Sequence, residues 1–305
     1  MVLVLLKTSV ALLVFGVGLA APPGDTLYLV RNRRLLVRTL LSMHVIMPLA
    51  AVWLCTTLAL NPAVAIALVA LAISPVPPFL PGKVAKAGGD ASYTLGLVIT
   101  TALLSVVIVP ASLSILGGFF HLPGDTPVRM VIAIVAETIL LPMGLGLAIA
   151  HFIPRAARAG KPLTNIATIL LLVALLPIVF RSWPIFRVLI GNGTLFAIVM
   201  LTGLGLAIGH LLGGPVPEHR TVLALATSSR HPAVAIVIGT TDFPGNSLII
   251  AAVLLSLLVS AIASAPYVAW SRRRARGQHL VPDTAAPGGL PAGGFHLGPS
   301  RSKEP

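Results

Sequence analysis

Apolar residues run through this chain in long blocks separated by short polar stretches. They show neither the two-residue alternation of a half-buried strand nor the one-sided stripe of a soluble amphipathic helix. Nine blocks can be delimited, at 2–21, 35–59, 62–82, 91–117, 127–153, 163–180, 187–212, 219–241 and 245–270. Each is rich in Leu, Val, Ala and Ile, and each approaches the roughly 20 residues that a helix needs to cross a hydrocarbon core of about 30 Å. Such an interior offers no water to backbone N–H and C=O groups, so spanning segments without alternation must be helices. The pattern predicts an all-α polytopic membrane protein of about nine transmembrane helices.

Two of the blocks contain helix breakers. The third reads "AISPVPPFLPGKVAKAGGD", with Pro75, Pro77, Pro78 and Pro81 close together, and a continuous helix through Ser74–Gly82 is excluded because each proline removes a donor and clashes with the preceding turn. The eighth reads "ATSSRHPAVAIVIG", with Ser228-Ser229-Arg230-His231-Pro232 at mid-span. Unwound backbone at membrane depth survives only where protein or a water-filled cavity satisfies it. The interrupted helices, 3 and 8, are five apart and so run in opposite directions, the arrangement of an inverted-topology repeat with two discontinuous crossing helices around a transport site.

Composition agrees with the pattern. Of 305 residues, 56% are hydrophobic and 10% charged, which excludes a soluble globular domain. The net charge of +13 would suggest nucleic acid in a soluble protein, but with nine helices it sorts by side. One set of loops holds sixteen Lys and Arg, including Arg31, Arg33, Arg34, Lys83, Lys86, Arg155 and Arg272–Arg274, and the other only Arg129, Arg181 and Arg187. By the positive-inside rule this orients a multi-pass protein of the plasma (inner) membrane with its C-terminus cytoplasmic, partnered by the lipid bilayer and not by nucleic acid. Residues 1–270 form the transmembrane transporter domain, and 271–305 a basic juxtamembrane segment and disordered cytoplasmic tail. The end of the first block, "GVGLAAPPGD", is similar to a signal-peptide cleavage site. Lys7 interrupts that block with no basic region before it, so the helix is expected to be retained. The lone Cys55 lies inside a helix and implies no disulfide.

Polar residues inside the spans are few, and each has a functional and a structural role to weigh. Arg230 lies about ten residues into its helix, about 15 Å deep at about 1.5 Å per residue. Insertion scales put the cost of an arginine there at about +2.5 to +3.5 kcal/mol. Either its guanidinium binds the carboxylate or sulfonate of a substrate, which the planar fork suits, or it pairs with Glu137 of "VAETILLPMGLG". Both hold if substrate displaces Glu137. A helix restarting at Pro232 adds free N–H groups and a positive dipole end. Glu137 either titrates and couples transport to protons or stands as a fixed counterion. His231, Ser228, Ser229, Ser74 and Pro75 complete the substrate-side candidates; Thr100, Thr101, Ser105 and Thr227, with Glu137, those for ion or proton coupling. Any one of these hydroxyls serves equally as a packing or back-bonding group. The near repeat "GLGLAIAH" (144–151) and "GLGLAIGH" (203–210) is read as close helix packing through small residues rather than as metal ligation by His151 and His210. No phosphate loop, Ser/His/Asp arrangement or Cys/His cluster occurs, so neither an enzyme nor a cofactor is expected, and sodium or a proton remains as coupling ion.

Over roughly residues 1–270 the order of elements resembles the sodium/bile acid symporter family. The similarity rests on the "MHVIMPLAA" helix, the Pro-rich broken helix ending in a Gly-Asp turn, the Thr/Ser-bearing helix with Pro110, and the late helix entered through "EHRTV". The resemblance implies an inverted repeat, a panel and a core domain with interleaved helices, and two discontinuous helices crossing beside the substrate cavity. Nine helices would mean that the first helix of the first repeat is missing, as in the animal branch. The family's sodium ligands are not matched: Leu225 and Ser229 stand where Glu and Gln are expected, and Leu80 and Pro81 where Ser-Asn is expected. Two functional classes follow. One is a secondary transporter of a small organic anion, bile-acid-like or another carboxylate or sulfonate, working by alternating access. The other is a non-transporting receptor or assembly subunit that keeps the fold.

Overall fold

A computed structural model of the chain describes residues 2–22, 25–120, 128–191, 193–242 and 246–279, and among these every regular element is a helix. Seven helices are long and apolar enough to cross a membrane, and two shorter apolar helices, Leu5–Leu19 and Pro62–Ile73, bring the described total to the nine expected. The chain is thus an all-α polytopic membrane protein. The elements are α1 (Val2–Leu19), α2 (Arg33–Thr57), α3 (Pro62–Ile73), α4 (Leu80–Ala87), α5 (Ala91–Phe120) and α6 (Val128–Val135 continued by Leu141–Phe152). They are followed by α7 (Gly160–Leu189), α8 (Thr194–Leu212), α9 (Pro217–Ser228), α10 (Pro232–Asp242) and α11 (Ser247–His279). Tail residues 280–305 lie outside the described residues.

Local chemistry sets these boundaries. The Asn61 side chain accepts from the Ala63 N–H at 2.9 Å and starts α3, with Pro62 in the first turn, where its missing donor costs nothing. The helix ends at Ser74, whose backbone turns extended before Pro75. α4 begins with Pro81 in its first turn and stops at Gly88, which takes φ 77, a left-handed conformation open to glycine. Asp90 then caps α5 by accepting from the Tyr93 N–H at 2.6 Å. α2 and α6 each widen into a π-turn, Leu41–Ile46 and Ala136–Leu140. A proline follows closely in both cases, Pro48 and Pro142, and the wider turn moves the backbone that its ring would strike.

Packing divides the helices into two groups. α7 and the second half of α6 each pack mainly on α1. Glycines make this contact close: a Cβ on Gly160 would lie 2.6 Å from the Ala20 Cβ, and one on Gly146 would strike the Phe15 carbonyl. α7 turns Leu172, Leu176 and Phe180 outward, as a lipid-facing helix does. The other group surrounds α3, α4, α9 and α10, with α8 laid against α9. Here a Cβ on Gly205 would sit 2.9 Å from the Ser228 Cα, and one on Gly209 2.5 Å from the Ala224 Cα. In both "GLGLAI" copies the second glycine is the packed one, whereas Gly144 and Gly203 face open space. His210 Nδ1 lies 2.8 Å from the Tyr267 hydroxyl, and the exposed His151 ring lies against Phe152, so the two histidines serve separate interfaces.

Two boundaries differ from the sequence expectation. α7 runs unbroken from Gly160 to Leu189, so Arg181 and Arg187 belong to this helix and not to a loop; the turn comes later, where Gly193 takes φ 80. Arginines on an exposed helix can carry their heads to the interface, which hides them from a block count. α11 continues as helix through the basic Arg272–Arg276 run to His279.

Candidate functional site

The two breaks meet, and prolines explain how. A helical carbonyl normally accepts from the N–H four residues on. For Ser74 that residue is Pro78, which has no N–H, so the Ser74 carbonyl is orphaned at the end of α3. Met43 is orphaned too: in the π-turn the Met47 N–H goes to the Ser42 carbonyl, and Pro48 has no proton to give. Arg230 fills both vacant positions. Its Nη2 donates to the Met43 carbonyl at 2.8 Å and its Nη1 to the Ser74 carbonyl at 3.3 Å. The His231 N–H, freed because α9 has ended, donates to the Pro75 carbonyl at 2.9 Å. Arg230 is 8% exposed, and its guanidinium ties α2, the α3–α4 break and the α9–α10 break into one unit.

The expected pairing of Arg230 with Glu137 does not occur. Glu137 Oε1 accepts from Lys7 Nζ at 3.3 Å, with both side chains 62% exposed, and this is the one salt bridge among the described residues. Depth along a helix is readable from sequence, but the face is not, and the π-turn that contains Glu137 shifts the register of the faces. It directs Glu137 toward α1 while its neighbour Thr138 reaches the crossing, with Oγ1 3.4 Å from His231 Nε2. Arg230 Nε, His231 Nδ1 and both ring nitrogens of His44 are buried without a hydrogen-bond partner among the described residues.

Beside the crossing lies a cavity of about 70 Å³. Its polar lining comes from Lys83 on α4; Thr227, Ser228, Ser229 and Arg230 at the end of α9; Thr202 on α8; and Ser256 and Ser260 on α11. Leu68, Leu71, Phe79, Ile198, Leu201 and Leu257 form apolar walls. Lys83 Nζ donates to Ser229 Oγ at 3.2 Å, and Thr202 and Ser260 share a hydrogen bond of 2.9 Å. The lining holds two cations and no carboxylate.

Of the sequence candidates, Arg230, Ser228, Ser229 and Thr227 line this cavity. Ser74, Pro75 and His231 form the crossing behind it through their backbones; the Ser74 hydroxyl is turned back to Leu71 at 2.8 Å. Thr100, Thr101 and Ser105 lie on α5 away from the cavity lining. The hydroxyls of Thr101 and Ser105 donate to carbonyls of their own helix, at 2.8 and 2.6 Å. Thr227 also bonds Ser42 at 2.8 Å. Lys83, Thr202, Ser256 and Ser260 were not singled out by sequence. The charge pattern places Lys83 in a cytoplasmic loop, whereas α4 carries it back against α9. The family model described as Sodium Bile acid symporter family matches residues 8–183, more than half of the chain, including the first break but not Arg230. No curated protein matches the chain.

Proposed function

Because this chain belongs to the sodium bile acid symporter family, we propose that it is a secondary transporter that moves a small organic anion across the membrane by alternating access. The observation that carries this reading is the cavity at the crossing of the broken helices, with its two cations and no carboxylate. Uncompensated charge at membrane depth is costly and marks a substrate or ion pathway. An anion that enters supplies the missing charge, and the apolar walls accept its hydrocarbon part. The close glycine contacts within each helix group support the group of α1, α6 and α7 and the group around the crossing as bodies that rock against each other.

The same geometry supports a cycle without sodium at this crossing. Three carbonyls at the crossing, those of Ser74, Pro75 and Met43, already accept from Arg230 and His231, and the Leu225 side chain brings no oxygen. Glu137, paired with Lys7 away from the cavity, takes no part in coupling in this scheme. The basic end of α11 supports a plasma (inner) membrane protein with its C-terminus on the cytoplasmic side.

Counterflow of labelled monocarboxylates and sulfonates into proteoliposomes, with and without sodium, tests this function. Saturable counterflow unchanged by sodium is expected. Binding without flux would instead support a receptor that keeps the fold, and flux that requires sodium would overturn the coupling scheme.

A further inference from the structure

The two cations of the cavity differ in what holds them. Each terminal nitrogen of Arg230 donates to one carbonyl, of Ser74 or Met43, and Nε is buried, so the guanidinium is held in place as part of the crossing. Lys83 has one neutral partner, Ser229 Oγ at 3.2 Å, and no carboxylate among the described residues. An ammonium carries more donors than that single contact uses, and its flexible stem lets the head turn to a newcomer. Lys83 also stands on the first helix turn after the proline-rich break, so a shift of that break moves it directly.

This inference deepens the transport function above and rests on its assignment of the cavity as the ligand site. We propose that Lys83 is the residue that binds the charged head of the ligand, with Ser229 as its resting partner, and that the ligand is a monoanion: a carboxylate or sulfonate on a short aliphatic chain. With Arg230 held in place by two backbone carbonyls, the one ammonium free to turn matches one negative charge. The space sets the size. A water needs about 10 to 15 Å³ of such space, so a cavity of about 70 Å³ has room for about five to seven and admits an anionic head with a short chain. The tail then lies along Leu68, Phe79 and Leu201, side chains that offer nothing to a second polar group.

The test uses the full chain purified in detergent, equilibrium dialysis with labelled hexanoate, hexane-1-sulfonate and the neutral hexanamide, and parallel uptake into proteoliposomes. Both anions are expected to bind saturably and hexanamide to bind far more weakly. Lys83→Met removes one partner of a partly buried charge pair and is expected to weaken hexanoate binding by about 30-fold, while Lys83→Arg retains it. Lys86→Met, an exposed lysine of the same helix, is expected to change nothing. Because the comparison of hexanoate with hexanamide is made on the unaltered protein, it decides even if Lys83→Met fails to fold. Equal binding of hexanamide, absence of hexanoate binding, or hexanoate binding that survives Lys83→Met would overturn the inference. Lys83-dependent binding without uptake would uphold it and remove the transport function; hexanoate uptake that survives Lys83→Met would do the reverse.

Discussion

The two helix breaks solve the same problem from opposite sides. The first, Ser74–Phe79, is built from prolines and therefore has acceptors without donors; the second, Ser229–His231, contributes an arginine and a freed N–H and therefore has donors to give. Neither could exist alone at membrane depth, because buried carbonyls without partners are destabilising and so is a lone guanidinium. Together they cancel. The difference teaches why an arginine can replace a proline-denied backbone donor: its planar fork reaches two carbonyls on separate helices, which no single N–H can do.

Breaking the donor side should have the largest effect. Arg230→Leu leaves the Ser74 and Met43 carbonyls buried and unpaired, and each such loss costs about 1 to 3 kcal/mol. The thermal midpoint of the purified protein should fall sharply and counterflow should vanish. Arg230→Lys keeps the charge but cannot span both carbonyls, and a midpoint equal to that of the unaltered protein would show that charge alone matters. Adding a donor to the acceptor side comes next. Pro75→Ala places an N–H in a buried break with no assigned acceptor, so a loss of about 1 to 3 kcal/mol is expected, with slower counterflow. The smallest effect belongs outside the comparison. Glu137→Gln removes an exposed pair of the kind worth less than about 1 kcal/mol, and both stability and the pH profile of uptake should stay as they are.

Much of this arrangement was legible in the sequence. Block length located all nine helices, and prolines located both breaks, because these signals depend on counting residues along the chain. What required structure was facing. In helices that are apolar all round, no stripe reports which side meets a cavity, so Thr202, Ser256 and Ser260 gave no warning. Glu137 misled for the related reason that a π-turn offsets the faces on either side of it. Lys83 misled because α4 continues for two turns beyond the prolines, where an apolar block count had already stopped. One signal could have found part of the Arg230 contacts: Pro78 lies where the Ser74 carbonyl would otherwise find its donor, whereas Pro48 bears on the Met43 carbonyl only because the π-turn shifts the register.

The absence of an acid from the cavity lining has a kinetic consequence. An unloaded cavity carries two positive charges through any reorientation, while a loaded one carries partly neutralised charge through the same movement. In the alternating-access cycle proposed above, the return of the empty carrier would therefore be the slower half. Such a carrier would run faster with anion present on both sides, which would make exchange of one anion for another its natural mode and net flow the exception.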